Sequence, residues 1–314
     1  MAESAYAVLD QTIIMFMIVI IGALCYKFRL LNDEGKKQLS TLVLNVVNPL
    51  LIFLSYQTEM RTELIEGFLW TALMGALTYI VFIMAANLIF RDKEKSRTVI
   101  ERFSIIYSNF GFMGTPLIFG VFGSDGVFIQ TGFVTVSNLF IWTHGVMSIS
   151  GQHDRKTALK ALCSPALIAV AAGLKFFFAQ IKIPGMVYTA LNNVAEMTTP
   201  LAMIVAGASI MSAGLLKSIT NPRVYLVSAL KLIAMPVIGA ALILFLPSPD
   251  MPKLITLIEF SCPAAAIGTM FAIKYDREPD LAAQIFAVST LLSALTLPLI
   301  VMAGTTILGV IHPQ

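Results

Sequence analysis

The sequence predicts an all-α polytopic membrane protein of ten transmembrane helices. Three observations carry that expectation. Of 314 residues, 57% are hydrophobic and only 12% charged, with a mean hydropathy of +0.84, too little polar surface to clothe a water-soluble globule. The apolar residues gather into runs of spanning length, and the basic residues fall between those runs with a consistent sidedness.

The apolar runs lie at roughly 8–26, 38–56, 67–90, 103–122 and 126–150 in the first half, and at roughly 164–181, 187–212, 222–246, 254–273 and 281–311 in the second. Lipid offers backbone groups no partners, so each run is expected as a helix. The first, from Thr12 onward, is long enough to span and leads into Arg29 and Lys36, so it is expected to stay as a helix rather than be cleaved as a leader. If loops alternate sides, those after spans 1, 3, 5, 7 and 9 hold sixteen of the 21 Lys and Arg residues. That side is expected to be cytoplasmic, with both termini outside. Basic residues in short runs between apolar segments signal topology, not nucleic-acid binding.

Composition and spacing also exclude several chemistries. Cys25, Cys163 and Cys262 are too widely spaced for a local metal site or a disulfide framework. His144, His153 and His312 are dispersed, and neither HExxH nor GxSxG stands in a usable context, so no enzyme and no cofactor are expected. All eight Asp residues sit in loops or at span edges, which removes the paired intramembrane aspartates of a proton antiporter or an aspartyl protease.

Residues 1–155 and 156–314 would each hold five spans, and an odd number per half makes the second half enter the membrane from the opposite side. Such inverted repeats typify alternating-access transporters. The halves share punctuation: Asn48-Pro49 in span 2 with Thr199-Pro200 in span 7, and Thr115-Pro116 in span 4 with Cys262-Pro263 in span 9. Each proline deletes a helical hydrogen bond, so a kink or an unwound stretch is expected there. Span 4 is the strongest case, because Gly111 and Gly114 precede Pro116 and polar Ser108, Asn109 and Thr115 flank the stretch. Unwound backbone at membrane depth needs a cavity or protein cover, and half-helix N-termini suit anions.

These motifs resemble the auxin efflux carrier family in its short bacterial form. The similarity runs across essentially the whole chain: Gly22 with Lys27 and Arg29, NPLL at 48–51, NFGFMGTPLIFGVFG at 109–123, Asn138, CPAAA at 262–266, Tyr275-Asp276 and STLLSALTLPL at 289–299. The resemblance implies spans 4 and 9 crossing at Pro116 and Pro263, a scaffold of spans 1, 2, 6 and 7, a transport bundle of spans 3–5 and 8–10, and a homodimer. It implies malate-like or malonate-like carboxylates as substrates, with auxin-like aromatic weak acids as the alternative; a passive channel, which would share the hydrophobicity and helix count without needing a paired inverted repeat, is the different-class reading. The short, bare loops look bacterial, which places the chain in the cytoplasmic membrane.

Few ionisable residues lie well inside the spans, where ionisation costs a few kcal/mol or more unless paired. Glu259 stands one helical turn before Pro263, and its carboxylate is expected to face Ser108 and Asn109 and, with Thr135, to carry Na⁺ or proton coupling. The EFSCP string at 259–263 is similar to the matching segment of bile acid sodium symporters, which makes Glu259 and Asn109 candidate Na⁺ ligands, although Pro263 departs from that pattern. Lys231 is placed to neutralise Glu196, Glu259 or a substrate carboxylate, or to close an internal salt bridge. Lys175, beside Phe176–Phe178, is expected to snorkel to the interface. Asn48, Asn109, Thr115 and Asn138 offer neutral polar groups to a carboxylate that must bind and leave, or bridge helices instead. The expected function is secondary transport of small organic anions by alternating access, driven by Na⁺ or H⁺.

Overall fold

The structure, a computed structural model, describes residues 2–91, 96–151, 165–212 and 220–308. Its helices are α1 (Ala2–Lys27), α2 (Asp33–Leu42), α3 (Asn48–Ser55), α4 (Thr62–Ile89), α5 (Ser96–Ile106), α6 (Thr115–Phe140), α7 (Val146–Ser150), α8 (Pro165–Phe178), α9 (Gly185–Ala195), α10 (Thr198–Ser212), α11 (Pro222–Ala229), α12 (Met235–Leu244), α13 (Asp250–Ser261), α14 (Ala266–Lys274) and α15 (Pro279–Leu308). Among the described residues there is no strand, only an isolated antiparallel bridge between Ser108 and Ala264.

Short π-helical turns join several of these helices end to end, at Val43–Val47, Phe110–Gly114, Ile141–Gly145 and Leu230–Ala234. Three of them run into a proline, Pro49, Pro116 or Pro236, at the second residue of the next helix. The ring has no N–H to give and crowds the carbonyl four residues back, so the turn widens by one residue. Asn48, Thr115 and Met235 accordingly donate their N–H to Val43, Phe110 and Leu230, five residues earlier. At Pro49 the chain thus bulges without unwinding. Near Pro200 the helical break falls just ahead of the proline, at Glu196–Met197, and Pro200 itself lies inside α10.

Among the described residues six helical stretches are long and apolar enough to cross a membrane: Asp33–Ser55, Thr62–Ile89, Phe110–Ser150, Gly185–Ser212, Pro222–Leu244 and Pro279–Ile307. Two shorter apolar helices, Ile13–Lys27 and Pro165–Phe178, accompany them. Large apolar side chains face outward along these helices, including Met17, Ile21 and Leu24 on α1, Leu69, Met84 and Leu88 on α4, and Leu295 and Leu299 on α15. Such continuous apolar exposure is what a hydrocarbon solvent permits and water does not. The chain is a multi-pass, all-helical membrane protein.

Without a hydrophobic drive between helices in lipid, close packing holds them, and small residues set the distance. α1 lies along α10 so tightly that a Cβ on Gly22 or on Gly207 would strike the partner's main chain at Ile204 or Val19. α4 lies along α6, where Gly132 faces the Phe68 carbonyl with no room for a side chain.

Candidate functional site

Two helices break near the middle of the molecule, and the breaks meet. α5 ends at Ile106 and helical structure resumes at Phe110; α13 ends at Ser261 and α14 begins at Ala266. The unwound residues pair with each other: Asn109 N–H donates to the Pro263 carbonyl (2.8 Å) and Ala265 N–H to the Tyr107 carbonyl (3.0 Å). Ala264 N–H donates to Ser289 Oγ (3.2 Å) on α15. Each break thereby supplies partners for groups that the other leaves orphaned, which lipid could not do. Pro263, with no N–H, contributes its carbonyl alone. Pro116 stands past the break, in the first turn of α6, where it shapes the preceding π turn.

On one side of the paired breaks sits Glu259, with none of its surface exposed. Its Oε1 accepts a hydrogen bond from Gln130 Nε2 on α6 (2.7 Å), and the same amide donates to Thr115 Oγ1 (2.8 Å). Glu259, Gln130 and Thr115 are all fully buried, so two helices, α6 and α13, converge on one carboxyl group. Gly114 makes room for it: a Cβ there would lie 2.5 Å from Glu259 Oε1, whereas one on Gly111 would meet only Asn48 Nδ2, at 4.0 Å. Glu259 Oε2 is buried without a hydrogen-bond partner.

The other side carries the positive charge. Lys231, also fully buried, extends its ammonium from the Leu230–Ala234 π turn to Ser108 Oγ (2.6 Å) and the Phe260 carbonyl (3.3 Å). Ser108 Oγ donates in turn to that carbonyl (3.2 Å). An ammonium has three protons, and these acceptors take two of them. Among the described residues Lys231 forms no ion pair with Glu259 or with Glu196; Glu196 is exposed and accepts from Asn192 Nδ2 (2.8 Å).

The polar residues singled out from sequence separate into those that reach this site and those that do not. Ser108, Asn109, Thr115, Lys231 and Glu259 gather at the breaks, and Asn48 approaches Gly111. Asn109 Nδ2 and Asn48 Oδ1 are buried and unpartnered. The free atom of Asn109 is a donor nitrogen, which suits an anion's oxygen; the free atom of Glu259 is an acceptor oxygen, which suits a proton or a cation. Asn138 and Thr135 instead satisfy their own helix, donating to the carbonyls of Val134 (2.8 Å) and Thr131 (2.7 Å). Lys175 is exposed near the end of α8. Among the described residues no group of three or more His, Cys, Asp or Glu side chains is arranged to hold a metal.

Two features had no sequence signal of their own. Gln130 is one polar residue in an apolar run, and only packing shows that it serves Glu259. Glu101, at the edge of a basic loop in the sequence, is fully buried in α5. Arg223 grips it at both oxygens, Nε to Oε1 (2.7 Å) and Nη2 to Oε2 (3.0 Å). Arg97 adds Nε to Oε1 (3.0 Å), and the Arg223 guanidinium lies 5.6 Å from the Phe90 ring centroid. This cluster binds α5 to α11 and to the end of α4.

Comparison with known proteins agrees with this architecture. Residues 7–301 match the family model described as "Membrane transport protein". An uncharacterized transporter of Methanothermobacter thermautotrophicus is 26% identical over 295 residues, covering 92% of this chain and 96% of its own. One from Methanocaldococcus jannaschii is 25% identical over 307 residues, covering 93% and 97%. The chain belongs to the membrane transport protein family, the auxin efflux carrier family that its motifs resemble.

Proposed function

We propose that the protein is a secondary active transporter that moves small organic anions, carboxylates of the malate or malonate type, by alternating access. The observation that carries this reading is the pair of mutually hydrogen-bonded helix breaks with unmatched polar atoms of both kinds buried beside them. A carboxylate would take Asn109 Nδ2, the remaining proton of Lys231 and the positive end of the helical segment that starts at Phe110. Glu259 Oε2 would take the coupling ion, Na⁺ or a proton.

Ten crossings in two inverted five-helix repeats fit the helical pattern. Gly123, with φ 60° and ψ −154°, divides the long Phe110–Ser150 stretch in two, and α5 and α13–α14 supply the parts of two broken crossings. Matched helix pairings, two across the halves and one within each, support an in-plane two-fold axis. α1 packs on α10 and α3 on α8, while α4 packs on α6 and α11 on α15. Helices α1–α3 and α8–α10 then form the scaffold, and α4–α7 with α11–α15 the moving bundle, whose two breaks cross at its centre. The basic loops support a cytoplasmic placement for the end bearing Lys27–Lys37.

Counterflow in proteoliposomes tests the proposal. Vesicles preloaded with unlabelled malate are expected to accumulate labelled malate transiently and saturably. Linear, non-saturating entry would make the protein a channel, and no entry for any of a panel of carboxylic acids would remove the substrate class.

A further inference from the structure

Alternating access requires that contacts between scaffold and bundle break and re-form at the two ends in turn, so a polar contact joining their helices marks a gate. Side-chain hydrogen bonds in the structure lie mainly within one group: Lys231 to Ser108, Gln130 to Glu259 and Arg223 to Glu101 in the bundle, and Lys36 to Ser212 in the scaffold. Tyr56 and Thr131 are different. Tyr56, at the end of α3, meets the Thr131 hydroxyl of α6 through its phenol, and both residues are fully buried.

The surroundings of this pair are built to close. The Tyr56 ring lies 4.4 Å from that of Phe128 on α6, and Phe128 lies 4.9 Å from Phe177 on α8. The ring reaches this position because Gly173 on α8 presents no side chain; a Cβ there would overlap it. Nearby at the same end, Arg61, in the connection between α3 and α4, pairs with Asp125 (2.5 Å), just past the Gly123 bend. Aromatic rings from both groups, a buried hydrogen bond and an exposed ion pair thus lie together toward one end of the molecule.

We propose that Tyr56 and Thr131 form the latch of a gate that closes this end of the transport path, and that the latch breaks when the path opens there. The inference rests on the alternating-access reading above. Its chemistry is directional. The Thr131 hydroxyl donates to the Phe128 carbonyl (2.6 Å), so Tyr56 supplies the proton of the pair. Tyr56→Phe leaves Thr131 satisfied, whereas Thr131→Val strands a buried phenol in the closed state. The second change costs the closed state more, because an unmade buried hydrogen bond is worse than one whose partner finds another.

The test needs no substrate. A reporter Thr135→Cys, one turn deeper on α6, is placed in a Cys25→Ser, Cys163→Ala background, and its reaction with an impermeant maleimide is timed from each face of proteoliposomes. The parent without the reporter corrects for Cys262. From the latch end, Thr131→Val is expected to speed labelling about fivefold, the population shift set by one buried hydrogen bond. Tyr56→Phe speeds it less, the double variant, with no phenol left to strand, matches Tyr56→Phe rather than Thr131→Val, and Thr131→Ser, which keeps the hydroxyl, labels at the parental rate. Unchanged labelling in Thr131→Val, effects that add, or a fast Thr131→Ser would overturn the latch. Because labelling is read without substrate, loss of malate counterflow would defeat the transport reading and leave this result standing, and the reverse holds.

Discussion

Lys231 Nζ and Ser108 Oγ stand 2.6 Å apart, joining a π turn of one helix to the unwound residues of another at the centre of the molecule. The contact gives a buried ammonium an acceptor without giving it a counter-ion. Ser108→Ala removes one of the two acceptors and is expected to lower unfolding stability by about 2 kcal/mol. Lys231→Met removes the charge while keeping the length, and burying a methionine there costs nothing in desolvation. It should unfold no earlier than the parent, yet transport at least tenfold more slowly. Denaturant unfolding in micelles beside uptake in vesicles separates the two effects; a Lys231→Met protein that transports normally would remove the lysine from the site.

Gln130 and Glu259 are predicted to be energetically coupled. Gln130→Leu breaks two buried hydrogen bonds and leaves the Glu259 carboxyl bare, a loss of about 3 kcal/mol. In Glu259→Leu/Gln130→Leu the orphaned partner is gone, so the double change should cost clearly less than the two single changes summed. A double-mutant cycle on unfolding midpoints measures this, and simple additivity would show that the 2.7 Å contact carries no energy.

The two glycines of the π turn are predicted to differ. Gly114→Ala drives a methyl against Glu259 Oε1, while Gly111→Ala meets nothing closer than Asn48 Nδ2 at 4.0 Å. Uptake should fall at least tenfold in the first and stay within about twofold of the parent in the second, the overpacked site paying about 1–3 kcal/mol. Equal losses would place the sensitivity in the backbone rather than beside the carboxyl.

The Glu101 cluster is predicted to respond asymmetrically. Removing Arg223 leaves a carboxylate of zero side-chain exposure with Arg97 as its one basic partner among the described residues, whereas removing Glu101 frees arginines whose side chains are 37% and 50% exposed and can turn to water. Arg223→Ala is therefore expected to cost about 3 kcal/mol, and Glu101→Gln about 1 kcal/mol. Thermal unfolding of the two variants side by side gives the order; the reverse order would contradict the burial of Glu101.

Much of this molecule is legible before any coordinates. Hydropathy places the helices because lipid allows backbone no alternative, and an interruption in span 4 is legible from its glycines and proline, although those residues form a π turn and the unwound backbone lies just ahead of them, at Tyr107–Asn109. Glu259 stands out as a lone carboxylate in an apolar run. Its true partners do not: Gln130 is 129 positions away, and its identity as a carboxylate clamp comes from the packing of α6 against α13. Glu101 is hidden for a related reason, since Arg97 and Arg102 lower the local hydropathy and make a buried helical turn look like loop. Asn138 and Thr135 mislead in the opposite sense, because a polar side chain on a membrane helix can spend its hydrogen bond on the carbonyl one turn back. Proline alone does not fix the local outcome: Pro49 yields a π bulge, Pro263 a full break and Pro200 neither.

The most direct test of the central claim is uptake of labelled malate into proteoliposomes under an imposed Na⁺ or H⁺ gradient, comparing the intact protein with Asn109→Ala and Glu259→Gln. The account predicts saturable, gradient-driven uptake that falls at least tenfold in Asn109→Ala and loses its gradient dependence in Glu259→Gln. Uptake indifferent to both substitutions would contradict it, because the paired helix breaks would then not be where the anion and its driving ion are bound.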